Sequence, residues 1–255
     1  MTALLNMYDL TIVFPVFNKQ NSIRAVYEIS CDTIAKAIGT KNYEIIFVND
    51  ASTDASESVV KSLVEENSKV KLIAHDTNKG QVKALQTGLL ASNGKVVFFA
   101  TCDLQNPLDS IGPIYNAIAN QGYDLGVAYR EKHIDKTLQS QLSRVYFYIL
   151  QLLFPKLPKG GFDYGGMHHS LSDRLRASDF DRILIQLEVL RLSKRTYFHP
   201  IVRSSDLLDS SGWTLREKVD YGMRFMRYLS AKHWIVGAIG LGVLIALMGL
   251  LYLYA

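Results

Sequence analysis

This chain of 255 residues contains few cysteines and few prolines, and its net charge is small. The two cysteines, Cys31 and Cys102, give neither the spacing of a zinc site nor a disulfide framework, so they fit a reducing compartment. The formal net charge is only +4, and without a strong electrostatic footprint we expect no nucleic-acid partner. Residues 1–10 also lack the basic start and the long apolar run of a signal peptide.

Several common catalytic motifs are missing as well. No Walker lysine motif and no G-x-G-x-x-G segment opens the first predicted helix, which argues against a phosphate loop or a dinucleotide-binding fold. No nucleophile elbow of the G-x-S-x-G type occurs. His168 and His169 are adjacent, so we expect their side chains to point apart and not to act as metal ligands.

The first half of the chain alternates between two patterns. Short runs rich in β-branched and aromatic residues predict five strands, DLTIVFPVFN, YEIIFVND, VKLIAH, KVVFFATCD and YDLGVAYR. Helical spacing lies between them, over residues 22–38, 56–66, 81–91 and 111–120. This alternation indicates an α/β fold with a Rossmann-like, mostly parallel sheet and flanking helices. Further along, the pattern predicts an amphipathic helix over 136–154, a glycine-rich turn at PKGGFDYGGMHHS and a helix over 181–193.

In such a fold ligands bind beyond the carboxyl ends of the strands, so the polar residues that follow each strand are candidates for a site. Asp50 ends the second strand and can accept a hydrogen bond from a nucleobase or ribose, or else cap the next helix. Asp103 and Gln105 offer hard oxygen ligands to Mg²⁺ or Mn²⁺, unless Asp103 is only a turn carboxylate before Pro107. Arg130 can bind a phosphate with two hydrogen bonds, or it is a surface arginine.

The C-terminal part of the chain has a different composition. Residues 234–255 carry no charge and can span a hydrocarbon core of ~30 Å at ~1.5 Å per residue. Basic residues precede this segment and none follows it, so we expect the large N-terminal part in the cytoplasm. The residues before it mix aromatics and bases, as in a membrane-surface helix or an ordinary surface helix. We predict a catalytic domain over 1–212, a juxtamembrane helix over 213–232 and a single transmembrane helix over 233–255.

Six sequence blocks occur in one order: PVFN, VNDASTDAS, NKGQVKALQTGLLASNGKVVFFATCDLQNP, AYREK, PKGGFDYGG and SSGWTLREKV. Together they resemble glycosyltransferase family 2, most closely its membrane-anchored branch related to dolichol-phosphate mannosyltransferase and bacterial polyprenyl-phosphate glycosyltransferases. The resemblance covers about residues 9–231. It implies a GT-A-type fold, a nucleotide-sugar donor, a divalent metal ion and inversion at the anomeric carbon.

The resemblance also implies roles for single residues. Asp103 would bind Mg²⁺ or Mn²⁺, with Gln105 in support, and Asp103, Arg130 and Asp163 are the catalytic candidates. Asp163 is predicted to lie in a flexible loop that folds over the acceptor, or to be a plain loop acid. The residues expected around the donor are Pro15, Asn18, Asp50, Asn78, Gly80, Lys83 and Asp103.

Two positions depart from the common family pattern. Thr101 stands where many relatives have the first aspartate of an Asp-x-Asp motif, although that position varies in the polyprenyl-type branch. Lys19 stands where the family often has glutamate after P-x-x-N. The lysine can neutralise charge on a diphosphate, or it can mark a changed nucleotide pocket.

These features predict an inner (cytoplasmic) membrane enzyme that transfers a sugar from a nucleoside diphosphate to a lipid-linked acceptor in cell-surface glycan synthesis. Polyprenyl phosphate is the expected acceptor, because an ionised phosphate monoester needs no general base and the strand tips offer no clear one. Two alternatives stay open: a catalytically silent nucleotide-binding scaffold, which Lys19 favours, and a transferase to a hydroxyl of a lipid-linked sugar. Ala238 and Gly242 have small-xxx-small spacing, which allows a homo-oligomer.

Overall fold

The computed structural model describes residues 7–104, 107–130, 151, 154–158, 161–178 and 185–202. All of these except Ser178 and Ile185 belong to one compact unit. The predicted juxtamembrane and transmembrane helices lie outside the described residues, as does nearly all of the helix predicted over 136–154. Within the described ranges, no helix is both long and apolar enough to cross a membrane.

Seven strands form one sheet in the part of the chain that the structure describes. They are β1 (Tyr8–Val16), β2 (Tyr43–Asn49), β3 (Val70–Ala74), β4 (Gly94–Phe99), β5 (Leu125–Arg130), β6 (Phe162–His168) and β7 (Thr196–Ile201). Their order across the sheet is β3-β2-β1-β4-β6-β5-β7. Strand β6 runs antiparallel to β4 and β5, and the other neighbouring pairs are parallel, which confirms the predicted mostly parallel sheet.

The helices that connect these strands are α1 (Ile23–Thr33), α2 (Ser56–Glu66), α3 (Gln81–Ala91), α4 (Ile111–Gln121), α5 (His169–Arg176) and α6 (Ile185–Leu192). A π-helical segment, Ile34–Ile38, continues α1, and a 3₁₀ turn, Leu108–Ser110, precedes α4. The four helices predicted between the first five strands are confirmed. The described part of the helix predicted over 181–193 is α6.

The central strands are covered on both faces, which explains their continuous apolar sequences. Ile12, Phe14 and Phe47 are fully buried in the main hydrophobic cluster, where the Phe14 and Phe47 rings stack with their centroids 5.3 Å apart. On the opposite face α3 crosses Val13, and a Cβ added at Gly88 would lie 2.2 Å from Val13 Cγ1. The glycine therefore permits α3 to pack closely on the sheet.

The glycine-rich turn predicted after residue 158 is wrong, because this segment contains strand β6. A Cβ on Gly166 would lie 2.5 Å from Cε2 of Phe98, and one on Gly165 would lie 2.4 Å from the carbonyl oxygen of Gly126. These glycines are required by close packing between neighbouring strands and not by a turn.

One edge of the sheet gathers the loops that carry the candidate residues. The carboxyl ends of β1 to β4 meet there because these strands are parallel. The amino end of β6 lies at the same edge, since β6 is antiparallel to β4 and Gly165 pairs with Phe99. We call this edge the carboxyl edge, and its loops include residues 17–22, 50–55, 75–80 and 100–104.

Candidate active site

Asp103 lies half-buried in the turn that follows β4 at the carboxyl edge. The carbonyl oxygen of the preceding residue, Cys102, accepts a hydrogen bond of 2.8 Å from the hydroxyl of Ser22, which precedes α1. Burial, and then the negative charge of Asp103, raises the pKa of the Cys102 thiol to about 12. The turn is thus fastened to the start of α1 with its thiol inside the protein.

Lys19 lies close to the same turn. Its carbonyl oxygen accepts a hydrogen bond of 3.0 Å from the backbone N–H of Ser22. Its positive charge opposes the rise in the pKa of the Cys102 thiol. A cation at this position attracts an anionic group bound beside Asp103.

The chain that follows Asp103 is fastened to β6. Gln105, the predicted second metal ligand, lies outside the described residues. Beyond it, the hydroxyl of Tyr164 donates a hydrogen bond of 2.6 Å to the carbonyl oxygen of Pro107 and lies 2.5 Å from the hydroxyl of Ser110. The Asp103 turn is therefore held on both sides, by α1 and by β6.

Asp50 is 2% exposed, and its carboxylate binds the loop that follows β3 and does not cap a helix. Its Oδ1 lies 2.7 Å from Nδ1 of His75 and accepts a hydrogen bond of 2.9 Å from the N–H of Lys79. Its Oδ2 accepts a hydrogen bond of 2.7 Å from the N–H of Gly80. The alternative that Asp50 caps α2 is wrong, because that helix begins at Ser56 after Ala55. A direct contact between Asp50 and the donor stays a prediction.

The loops after β1 and β2 are joined by hydrogen bonds. Asn18 adopts a positive φ of 52°, its N–H donates to the Ser52 hydroxyl at 3.0 Å, and its side-chain oxygen accepts from the N–H of Thr53 at 2.8 Å. Lys19 N–H donates to the Ser56 hydroxyl at 2.7 Å. Asn18, predicted to lie near the donor, therefore also fixes the shape of the β1 loop.

The other predicted donor residues lie along the carboxyl edge. Gly80 has a φ of 87°, which explains the glycine, and its N–H also lies 3.1 Å from the side-chain oxygen of Asn78. Lys83 lies in the first turn of α3, with its amine 3.2 Å from Oε1 of Gln86. Pro15 lies in β1, one residue before its end. The fold thus gathers these positions at one edge of the sheet.

Phe17 is a candidate that the sequence analysis missed. It directly follows β1 at the carboxyl edge and is 45% exposed, whereas Val16 before it is buried. An exposed aromatic ring at a strand end offers a flat apolar face on which a nucleobase can stack. The available signal is an aromatic residue one place beyond the end of a buried strand, but the apolar run DLTIVFPVFN includes Phe17, so the pattern assigns this residue to the strand.

Arg130 and Asp163 lie on neighbouring strands near the same edge. Arg130 is the last residue of β5. Asp163 lies in β6, so its predicted placement in a flexible loop is wrong. Tyr129 pairs with Phe162 and Ala128 pairs with Tyr164, which leaves Asp163 as the extra residue of a β-bulge. Bulges of this kind are common next to active sites, where they redirect a side chain.

The two adjacent histidines do not point apart as predicted. The ring centroids of His168 and His169 are 4.3 Å apart with an angle of 43° between the planes. Nδ1 of His168 accepts from the N–H of Ser170 at 3.4 Å and so caps α5. These histidines lie at the end of β6 opposite to the carboxyl edge.

The residues of the carboxyl edge fit a metal ion whose set of ligands is completed by the substrate. No group of three or more acidic, histidine or cysteine side chains that could enclose a metal ion occurs among the described residues. Mg²⁺ and Mn²⁺ are bound in many enzymes by one or two carboxylates together with substrate phosphates. Asp103 offers one such carboxylate at the edge, so the residues fit a metal–diphosphate complex.

Comparisons with known proteins identify the family of this chain. A model of the family described as Glycosyl transferase family 2 matches residues 11–175. An undecaprenyl-phosphate 4-deoxy-4-formamido-L-arabinose transferase from Enterobacter sp. (strain 638) is 31% identical over 206 residues, which cover 80% of this chain and 58% of that protein. A protein of the same name from Serratia proteamaculans (strain 568) is 31% identical over 197 residues, with 77% and 56% covered. This chain thus spans less than two thirds of these relatives.

Solved structures show the same fold at low identity. A mannosyltransferase from Pyrobaculum calidifontis in complex with GDP-Man and Mn²⁺ has a TM-score of 0.60 at 16% identity, covering 89% of this chain and 65% of that chain. A glucosyl-3-phosphoglycerate synthase from Mycobacterium tuberculosis with Mn²⁺, UDP and glucosyl-3-phosphoglycerate has a TM-score of 0.55 at 19% identity, covering 89% and 81%. The predicted GT-A-like α/β fold is confirmed. Because the family model covers more than half of the sequence, this chain belongs to glycosyl transferase family 2.

Proposed function

We propose that this chain is a metal-dependent, inverting glycosyltransferase that moves a sugar from a nucleoside diphosphate to polyprenyl phosphate. The main support is the Asp103 turn, which is fastened to α1 and β6 at the edge where Phe17 and the Asp50-anchored loop also lie. The relatives named as undecaprenyl-phosphate transferases support the choice of acceptor.

In the proposed reaction, an oxygen of the acceptor phosphate forms a bond to the anomeric carbon of the donor sugar. The bond between that carbon and the donor diphosphate breaks, and the nucleoside diphosphate leaves with the electron pair. Negative charge grows on the leaving group, so fixed positive groups lower the barrier. Lys19 and Arg130 are proposed to supply that charge. Mg²⁺ or Mn²⁺, held by Asp103 with Gln105 in support, stabilises the same charge when bound.

The nucleoside part of the donor is proposed to stack on Phe17, beside the loop of residues 75–80. This loop is held by the carboxylate of Asp50, and residues 76–79 are exposed. Asn18 shapes the neighbouring loop through its bonds to Ser52 and Thr53. The exposed ring and the two fixed loops together form a surface that suits a base and a ribose.

The acceptor determines whether a general base is needed. A phosphate monoester is largely ionised near neutral pH, whereas a sugar hydroxyl must lose a proton as it attacks. Asp163, in the bulge of β6, is the residue that would act as general base if the acceptor were a sugar hydroxyl. With a phosphate acceptor its role is to shape the edge of the site, so replacing it should lower transfer only modestly.

Membrane attachment is part of the proposal and rests on the sequence. The uncharged residues 234–255, which follow a segment mixing basic and aromatic residues over 213–232, suit a single span with the catalytic domain in the cytoplasm. In sealed inverted vesicles, a tag at the carboxyl terminus should resist protease. Cleavage of that tag with the membrane intact would contradict the proposed topology.

The function is tested by measuring how much nucleoside diphosphate the purified full chain forms from a panel of nucleotide-sugars in the presence of Mn²⁺. Release that depends on polyprenyl phosphate supports the proposal. Nucleotide binding without release under any acceptor condition would instead indicate the scaffold that Lys19 favours. Release only with a lipid-linked sugar would identify a hydroxyl acceptor.

A further inference from the structure

A buried histidine links the Asp50 carboxylate to α3. His75 directly follows β3, and its N–H donates a hydrogen bond of 2.9 Å to the carbonyl oxygen of Asn49. Its ring nitrogens lie 2.7 Å from Oδ1 of Asp50 and 2.9 Å from the hydroxyl of Thr87. The side chains of His75 and Asp50 are only 6% and 3% exposed. One imidazole thus bridges the end of β2 and the middle of α3.

The hydrogen bonds are mutually consistent. A neutral imidazole with its proton on Nδ1 donates to Asp50, and Nε2 then accepts from the Thr87 hydroxyl. The same carboxylate also receives the backbone N–H groups of Lys79 and Gly80. Asp50 therefore holds both ends of the loop of residues 75–80, one end through His75 and the other through Gly80.

The exposure of residues 76–79 indicates why Asp50 and His75 hold this loop. Residues 76–79 are exposed at the carboxyl edge, while the two groups that hold the loop, Asp50 and His75, are almost completely enclosed. Because the enclosed Asp50 carboxylate binds both ends of the loop, a change in its orientation would change the shape of the loop. His75 limits that orientation because it binds one of the two carboxylate oxygens and is itself fixed by Thr87.

We propose that His75 is a positioning residue for the nucleotide donor. It orients Asp50, and through Asp50 it holds the loop of residues 75–80 in the shape that receives the nucleoside diphosphate. This inference rests on the proposed function, since that function makes the carboxyl edge the donor site. His75 acts on donor binding and not on the transfer step, so its loss should affect KM far more than kcat.

The test compares His75→Ala with His75→Asn in the full chain. The alanine variant loses both side-chain bonds, whereas the asparagine amide can still place an N–H near the position of Nδ1. Losing a charge-assisted bond to a buried carboxylate should weaken binding of UDP or GDP with Mn²⁺ by about tenfold, with kcat within about threefold of wild type. The asparagine variant should recover most of that affinity.

A matched control removes a buried hydrogen bond away from the carboxyl edge, between β1 and the amino end of β2. Thr11 of β1 donates to Glu44 of β2 at 2.7 Å, and both side chains are buried. Thr11→Val should lower thermal stability but leave nucleotide affinity unchanged. In His75→Ala, hydrogen exchange at the amides of Lys79 and Gly80 should accelerate, because both donate to Asp50.

The outcomes separate this inference from the proposed function. If the wild-type chain binds no nucleoside diphosphate, the donor site itself is wrong and both ideas fail. If the wild type binds UDP or GDP and His75→Ala binds it within about twofold, the role of His75 alone is refuted. An equal loss of affinity in Thr11→Val and His75→Ala would also refute it, because the effect would then be one of general stability.

Discussion

The phenolic oxygen of Tyr164 lies 2.6 Å from the carbonyl oxygen of Pro107. Tyr164 is fully buried in β6, and Pro107 lies four residues after Asp103. This contact connects the turn that bears the proposed metal ligand to the strand whose bulge bears Asp163. A single buried hydroxyl thus joins two catalytic candidates that are 60 positions apart in sequence.

Removing this hydroxyl should weaken the fold and misplace the turn. Tyr164→Phe leaves the Pro107 carbonyl without one donor, so the free energy of unfolding should fall by about 1–2 kcal/mol. Turnover should fall several-fold because Asp103 is held less firmly. Urea unfolding and steady-state rates measure both effects. Tyr115→Phe is the control, since burial and a nearby negative charge, but no hydrogen bond from a described residue, raise the pKa of that hydroxyl. Unchanged stability of Tyr164→Phe would contradict the proposed role of the Tyr164 hydroxyl.

Asp103 is the acid on which metal-dependent donor binding should depend. Asp103→Asn should reduce turnover by at least about 10²-fold, as expected when one electrostatic stabiliser of the transition state is lost. Binding of UDP or GDP should lose most of its dependence on Mn²⁺, while the thermal unfolding temperature stays close to that of the wild type. Asp109→Asn is the matched control, because Asp109 is exposed in the 3₁₀ turn nearby.

Thr101 gives the complementary test of the same site. One carboxylate from the protein and the diphosphate of the donor can together supply enough ligands for the metal ion. Thr101→Asp should therefore be tolerated or mildly harmful. Near wild-type turnover of Asp103→Asn would overturn the metal assignment. A large gain in the rate of Thr101→Asp would show that the site lacks a ligand at position 101.

Phe17 should contribute to donor affinity through stacking. Phe17→Ala should raise the donor KM by roughly 5- to 150-fold, which corresponds to about 1–3 kcal/mol for an aromatic ring under a base. Phe17→Tyr should keep the affinity because it keeps the ring. Leu90→Ala removes a side chain that is 57% exposed on α3 and should leave KM unchanged. An unaltered KM in Phe17→Ala would mean that the base binds elsewhere.

The thiol beside Asp103 should be unreactive in the folded protein. Cys102 is 2% exposed, and its pKa is raised to about 12, so at pH 8 the reactive thiolate is almost absent. Iodoacetamide at pH 8 should therefore modify Cys31 in the native chain and both cysteines in urea, as read by peptide mass spectrometry. Equal labelling of both cysteines without urea would show that the turn opens readily.

The first five strands could be predicted because their signals are local. Helices α2 and α3 begin and end where the sequence pattern indicated, at Ser56–Glu66 and Gln81–Ala91. Strand β6 could not be predicted, since Gly165 and Gly166 resemble a turn until the neighbouring Phe98 and Gly126 are known. That packing depends on contacts between distant segments, which no local pattern contains.

The position of the candidate site could be predicted, but the contacts that hold its loops could not. Asp50 and Asp103 follow β2 and β4 as predicted, because parallel strands bring their carboxyl ends together, while their roles stay predictions. The partners of Asp50 lie 25 to 30 positions later in the chain, at His75, Lys79 and Gly80. No spacing rule connects these residues to Asp50, so its role in holding the loop emerged only from the structure.

Mass spectrometry of the lipid product tests the central claim most directly. The full chain is incubated with polyprenyl phosphate, Mn²⁺ and a mixed pool of nucleotide-sugars, with Asp103→Asn in parallel. The account predicts a lipid heavier by one sugar residue, joined through the phosphate, together with an equal amount of nucleoside diphosphate, and neither product from the variant. An unchanged lipid while free sugar accumulates, or a sugar added only to lipids that already bear one, would contradict it.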